Sequence, residues 1–136
     1  MMEQEIQIFK NEQFGEIRTM LDEKGNPWFV GKDVAAVLGY SKPLNALAMH
    51  VDGDDSLKQG LIDSKGRLQQ TIFINESGLY ALILSSKLPQ AKAFKRWVTS
   101  EVLPQIRQMI RMWIHRKYVL QITDNSFTKA NINSKR

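Results

Sequence analysis

The sequence predicts an α+β fold: a small antiparallel sheet with a short helix pair inserted between its strand groups, closed by C-terminal amphipathic basic helices. Three observations carry this prediction. Residues 5–30 hold short apolar runs separated by turn-forming residues, and the apolar period then lengthens to that of a helix between Gly31 and Val51. Cationic residues then concentrate beyond Pro89: residues 1–88 hold nine Lys/Arg against twelve Asp/Glu, net −3, whereas residues 89–136 hold ten against two, net +8.

The first strand is read at Glu5 to Phe9, where polar and apolar residues alternate, and Asn11 to Gly15 turns the chain. A second short strand covers Ile17 to Leu21, and the dense turn cluster Asp22 to Pro27 closes it. Trp28-Phe29-Val30 is a third strand, aromatic and β-branched. After Gly31, Val34, Val37 and Leu38 share one helical face, and Gly39 is a natural helix stop. A second helix starts near Ser41 or Lys42 with Pro43 in its first turn, and Leu44, Leu47 and Val51 continue the apolar stripe. This pair has the spacing of a helix-turn-helix.

Asp52 to Asp55 breaks the second helix, and two strands, Leu57 to Asp63 and Arg67 to Asn75, flank the Ser64-Lys65-Gly66 turn. Asn75 is placed to cap a helix from Glu76 through Ser85, with Leu79, Leu82 and Ile83 as its core face. From Gln90 to Gln105, Phe94, Trp97, Val98 and Val102 define a strongly amphipathic helix, which Pro104 is expected to end or kink. Beyond it, Ile106, Ile110, Trp113, Ile114 and Tyr118 recur at helical spacing among basic residues. From Thr123 the chain turns polar, which predicts loose order. The expected division is a domain over 1–108 and a basic extension over 109–136.

Composition removes several classes of function. The chain of 136 residues has no cysteine, which excludes disulfide scaffolds, thiolate metal sites and a cysteine nucleophile. Two histidines, His50 and His115, cannot build a multi-histidine metal cage. No apolar run reaches the roughly 20 residues of a membrane-spanning helix, and the acidic start is unlike a secretory signal. The expected location is the cytoplasm.

The charge asymmetry points to a polyanionic partner, most simply nucleic acid, with double-stranded DNA the expected partner, although a basic solvated tail would show the same asymmetry. Lys92, Lys95 and Arg96 fall on one helical face, and Arg107 carries positive charge past Pro104. Long cations on a rigid element suit phosphate contacts, although the same residues would also solvate the outer face of a core helix. Lys32, Lys42 and Asn45 surround the helix pair and could enter a groove, with Asp33, Asp52, Asp54 and Asp55 opposing them electrostatically. Of the aromatics, Tyr40 beside Gly39 is the candidate for stacking on a base, whereas Trp28, Tyr80, Phe94 and Trp97 fall at apolar phases and are read as core. Ile110, Trp113, Ile114 and Tyr118 form a candidate homodimer interface. The aspartates at 52, 54 and 55 diverge along one loop, and Ser77-Gly78 lacks the surroundings of a nucleophile elbow, so no enzyme, metal or cofactor is expected.

Three blocks of sequence resemble the N-terminal domain of the BRO family, found in phage antirepressors and proteins of large DNA viruses. The first is Trp28-Phe29-Val30-Gly31-Lys32-Asp33-Val34 with Leu38-Gly39-Tyr40. The second is Ala46-Leu47 with His50-Val51-Asp52 and Asp54-Asp55. The third is Ile74-Asn75-Glu76-Ser77-Gly78-Leu79-Tyr80, followed by Ala91 to Val98 and Glu101 to Arg107. Together they span roughly residues 5–108. The resemblance implies a phage or prophage antirepressor-like transcription regulator acting on DNA in the nucleoid of a bacterial host. The alternative it allows is a module that inactivates a phage repressor protein by direct binding, without DNA. Two departures bear on this choice. Ala48-Met49 stand where family members often carry an arginine, and the second domain common in the family is absent after Arg107, where a replacement tail or a truncation is expected.

Overall fold

The computed structural model describes residues 6–116. It contains β1 (Gln7–Asn11), β2 (Gly15–Leu21), β3 (Pro27–Val30), α1 (Gly31–Val37), α2 (Pro43–His50), a 3-10 turn at Gly53–Asp55, β4 (Ser56–Ile62), β5 (Leu68–Ile74), α3 (Glu76–Ser85) and α4 (Gln90–Trp97). A wider π-helical turn at Val98–Val102 follows, and residues 103–116 are again helical. The architecture is α+β, as expected, with the helix pair lying between β3 and β4. The tail beyond Thr123 and Tyr118 lie outside the described residues.

The five strands form one sheet in the order β1-β2-β3-β5-β4, with every neighbouring pair antiparallel. Because side chains alternate along a strand, the register assigns residues to two faces. Phe9, Ile17, Thr19, Phe29 and Ile74 share one face through the pairs Phe9↔Ile17, Thr19↔Phe29 and Phe29↔Ile74, and all are buried. Met20, Val30 and Phe73 are buried on the other, with Ile6, Trp28 and Leu61 packed around them. β3 and β5 join only at Phe29↔Ile74 and Val30↔Phe73, and α1 and α3 pack on these two central strands.

Local chemistry sets the ends of the elements. The Asn11 side chain accepts from the backbone N–H of Gln13 (2.7 Å) and Phe14 (3.1 Å), a side-chain turn that reverses the chain before Gly15. α1 ends in a Schellman motif. Gly39 takes φ +84°, its N–H donates to the Ala36 carbonyl, and the Tyr40 N–H donates to that of Ala35, both at 3.1 Å. Gly39 also lacks room for a side chain, since a Cβ there would meet Leu88 Cδ1. α2 opens with Lys42 as its cap residue and Pro43 at its first position. The Asp52 side chain caps the 3-10 turn by accepting from the Asp54 N–H at 3.2 Å. Asn75 caps α3 through the Gly78 N–H at 2.9 Å, and its own amide donates to Asp55 Oδ1 at 3.1 Å.

Pro104 does not end the helical run, the first of the two outcomes expected from sequence. A proline inside a regular helix clashes with the carbonyl four residues earlier, here that of Ser100. An irregularity sits just before it, in the π-helical turn Val98–Val102. Residues through Ser100 form one compact unit, and residues from Glu101 form a second.

Two bonding sets tie the first unit together. Arg18 Nε and Nη2 donate to the two oxygens of Asp33 at 2.8 Å each, and the Arg18 backbone N–H adds a third bond at 3.1 Å, fastening β2 to the first turn of α1. The paired carboxylate raises the Arg18 pKa above its ordinary value, hydrogen bonding from Asp33 being the main cause. Asp22 organises the β2–β3 turn, accepting from the Lys24 and Asn26 N–H groups at 2.9 Å and from Trp28 Nε1 at 3.0 Å.

Gly39→Ala is expected to cost at least about 1–2 kcal/mol from the left-handed backbone alone, plus the displacement of Leu88, read as a lower urea midpoint. Burial pushes the Asp22 carboxyl up, but the bonds from Trp28, Asn26 and Lys24 together hold it below the usual carboxylate range. A lowered folded pKa contributes stability above the unfolded value and loses it as the group protonates. Denaturation midpoints should therefore fall as pH drops below about 4, and Asp22→Asn should show a smaller acid-side decline.

Candidate nucleic-acid interface

α4 separates its residues by chemistry. Ala91, Phe94 and Trp97 are buried, whereas Lys92, Lys95 and Arg96 are exposed on the opposite side. Phe14, from the β1–β2 turn, meets Phe94 edge-on with centroids 5.4 Å apart and stacks on Trp97 at 5.7 Å. Phe94 and Trp97 lie 6.0 Å from each other, so three rings close a cluster between the helix and the meander. With that face committed to the core, the orientation of the cations is fixed. Among the described residues no ion pair engages Lys92, Lys95 or Arg96.

Both ends of this helix are anchored. Before it, Ser86 Oγ donates to the Leu38 carbonyl at 2.9 Å and Gln90 Nε2 donates to that of Val37 at 3.1 Å, fixing the approach to α4 against the end of α1. After it, two side-chain hydroxyls bond back to carbonyls of α4. Thr99 Oγ1 donates to the Lys95 carbonyl at 2.9 Å, and Ser100 Oγ donates to that of Arg96 at 2.6 Å.

The helix pair presents a different surface. Lys32 is exposed on α1, and Lys42 and Asn45 are exposed at the start of α2. Leu44 and Met49 stand 63% and 76% exposed on α2, with Ala48 exposed between them, so one amide sits in a largely apolar face. The Tyr40 hydroxyl donates to the Leu82 carbonyl at 2.8 Å, and its ring lies 5.6 Å from that of His50. Tyr40 thus links the helix pair to α3, and burial raises its pKa. The acidic residues expected to oppose a nucleic acid here are partly engaged, Asp33 by Arg18, Asp52 by the 3-10 turn and Asp55 by Asn75.

Arg107 belongs to the second unit, where it is exposed on the helix of residues 103–116. On that helix Ile110 is half-buried, while Trp113 and Ile114 are exposed at 38% and 53%. Tyr118, the fourth residue of the expected dimer interface, lies outside the described residues. Sequence reasoning missed Phe14, read as part of a polar turn, although it positions the cationic helix. An aromatic flanked by Glu12-Gln13 and Gly15 was the available signal.

Among the described residues no group of three or more His, Cys, Asp or Glu side chains could hold a metal ion. No described helix is long and apolar enough to cross a membrane.

Comparison with known proteins gives a family match. Residues 16–104 match the model of the BRO family, N-terminal domain. An uncharacterized protein of Haemophilus influenzae is 44% identical over 92 residues, covering 68% of this chain and 45% of that protein. A Bro-N domain-containing protein of Invertebrate iridescent virus 6 is 41% identical over 99 residues, covering 60% of this chain and 24% of its own length. One from Autographa californica nuclear polyhedrosis virus is 31% identical over 113 residues, covering 69% and 34% respectively. The chain thus spans less than half the length of these relatives. No solved structure matches it.

Phe94→Ala should lower stability by about 3–5 kcal/mol, because the lost ring opens a cavity beneath α4. Lys95→Ala should stay within roughly 0.5 kcal/mol of the parent. Urea denaturation of the two variants checks the division of α4 into a packing face and a displayed face.

Proposed function

The chain belongs to the BRO family through its N-terminal domain, and we propose that it is a phage or prophage antirepressor-like transcription regulator that holds double-stranded DNA through α4. The observation carrying this reading is the set of exposed cations Lys92, Lys95 and Arg96, without acidic partners among the described residues, on a helix whose other face is locked by three aromatic rings. Each phosphate neutralised by such a cation releases condensed counterions, so binding draws on salt-dependent entropy and needs no base contact. Rigidity matters because a helix already fixed in place loses little freedom on binding. Arg107 is proposed to add a further phosphate contact, and Lys32, Lys42 and Asn45 to meet the duplex at the helix pair, with Tyr40 against a base.

The process has no chemical step, cofactor or metal in this reading, and its setting is the nucleoid of a bacterial host. A homodimer formed through Ile110, Trp113, Ile114 and Tyr118 would double the phosphate contacts. A second reading is favoured by one observation: the apolar exposed face of α2, Leu44 with Ala48 and Met49, suits a protein partner better than a phosphate. In that case the chain inactivates a phage repressor by direct contact, without DNA.

Salt titration of binding to random duplex DNA separates the two. Engagement of about five phosphates gives a log–log slope near −4.5, and Lys95→Ala with Arg96→Ala should reduce its magnitude by about 1.8. An absent response leaves the repressor-binding reading. Light scattering tests the dimer, which a monomer mass at high protein concentration would contradict.

A further inference from the structure

The β4–β5 hairpin reaches beyond the rest of the sheet. β5 joins β3 only at Phe73 and Ile74, but pairs with β4 along its whole length. The outer ladder, from Lys58↔Ile72 to Ile62↔Leu68, is therefore a two-stranded ribbon of five residue pairs, roughly 15 Å long. Such a ribbon is marginal alone; Leu61 packs against the Met20, Val30 and Phe73 cluster, and two further features steady it. At its base, Phe73 and Ile74 are fully buried. At its tip, Asp63 accepts from the Lys65 N–H (2.9 Å), the Arg67 N–H (2.9 Å), Arg67 Nε (3.0 Å) and Gln69 Nε2 (3.3 Å), while Gly66 supplies the left-handed residue at φ +79°.

The composition of the arm is unusual for a solvated hairpin. Residues 58–72 hold three cations, Lys58, Lys65 and Arg67, and a single carboxylate, Asp63, which the turn consumes. The Arg67 N–H, chiefly, with the Lys65 N–H and the Arg67 side chain, keeps the carboxyl below its ordinary range. One face carries the exposed apolar pair Ile62 (61%) and Leu68 (67%) at the tip, then Gln70 opposite Gly60, then Lys58. Gly60 leaves Gln70 without a cross-strand side chain, and Leu68 leans into the space, since a Cβ on Gly60 would lie 2.8 Å from Leu68 Cδ1.

We infer that this arm enters the major groove of duplex DNA and reads base edges there, a task for which the apolar face of α2 is poorly equipped. The inference rests on the DNA-binding reading above and adds the element that selects sequence. The groove, about 12 Å wide, admits a two-stranded ribbon. A glutamine amide at Gln70 matches the N6/N7 edge of adenine, Lys58 matches the O6/N7 edge of guanine, and Ile62 with Leu68 suits thymine methyls. Lys65 and Arg67 at the turn fall where flanking phosphates would lie. Charge decides for DNA over an apolar protein groove, because Arg67 balances Asp63 and Lys58 and Lys65 remain without an acidic partner among the described residues.

The test uses the full chain. Duplexes enriched from a randomised library by the parent protein are compared with random duplex, for the parent, Gln70→Ala and the double variant Ile62→Ser/Leu68→Ser. The parent is expected to prefer the enriched duplex, and Gln70→Ala to lose roughly tenfold of that preference while its affinity for random duplex changes less than about twofold. The tip variant should lose preference at T-containing positions. If the parent binds duplex with a steep salt dependence but enriches no sequence, or if both variants keep the full preference, the arm is not the reader and the phosphate-binding role of α4 still stands. If the parent shows no salt-dependent binding to either duplex, the DNA reading itself fails and takes this inference with it.

Discussion

The aromatic cluster of Phe14, Phe94 and Trp97 is the constraint on which the functional surface depends. A short helix of eight residues has little intrinsic stability, and its orientation is set by what it buries. Three rings within 6.0 Å of one another bury that face and leave α4 no low-energy rotation about its own axis. Lys92, Lys95 and Arg96 are displayed because the opposite positions are occupied. The hydroxyls of Thr99 and Ser100 add bonds to the Lys95 and Arg96 carbonyls at the cationic end of α4.

The helix pair obeys a second constraint, close approach. Gly31 admits Leu47 of α2 so near that a Cβ would lie 2.8 Å from its Cδ1, and Gly39 yields its space to Leu88. These two glycines bracket α1, one letting α2 settle against its start and the other letting the α3–α4 connection settle against its end. Packing of this closeness explains why Leu47 and Ala46 are buried while Leu44 and Met49, on the far side of α2, are not. The exposed apolar character of α2 is thus a property of that side alone.

Much of this was legible in the sequence. The strand–turn punctuation around Asp22 to Pro27, the stop at Gly39, Pro43 in the first turn of α2 and the Asn75 cap each rest on one residue with one strong local preference, and each stands where the sequence placed it within a residue or two. The amphipathic α4 was equally clear, because four apolar positions at helical spacing admit a single face. What escaped detection was non-local. Phe14 lies in a polar turn and packs against residues eighty positions away, which no window can register. Local rules let Pro104 end or kink a helix, and they do not register that the run continues beyond it through the π-helical turn Val98–Val102. The reach of β4 and β5 beyond β3 depends on strand order, and apolar residues at Ile62 and Leu68 read equally well as core until the sheet order places them at an unsupported tip.

The sheet order has one more implication. β4 forms an outer border of the sheet, and a border of seven residues offers amide and carbonyl groups on which a foreign chain could polymerise. Lys58 and Gly60 stand in the middle of that border, one imposing charge and the other weakening β-propensity. Fibrillar stacking of copies along this rim is thereby discouraged, and the hairpin can carry oily residues at its end without seeding precipitates.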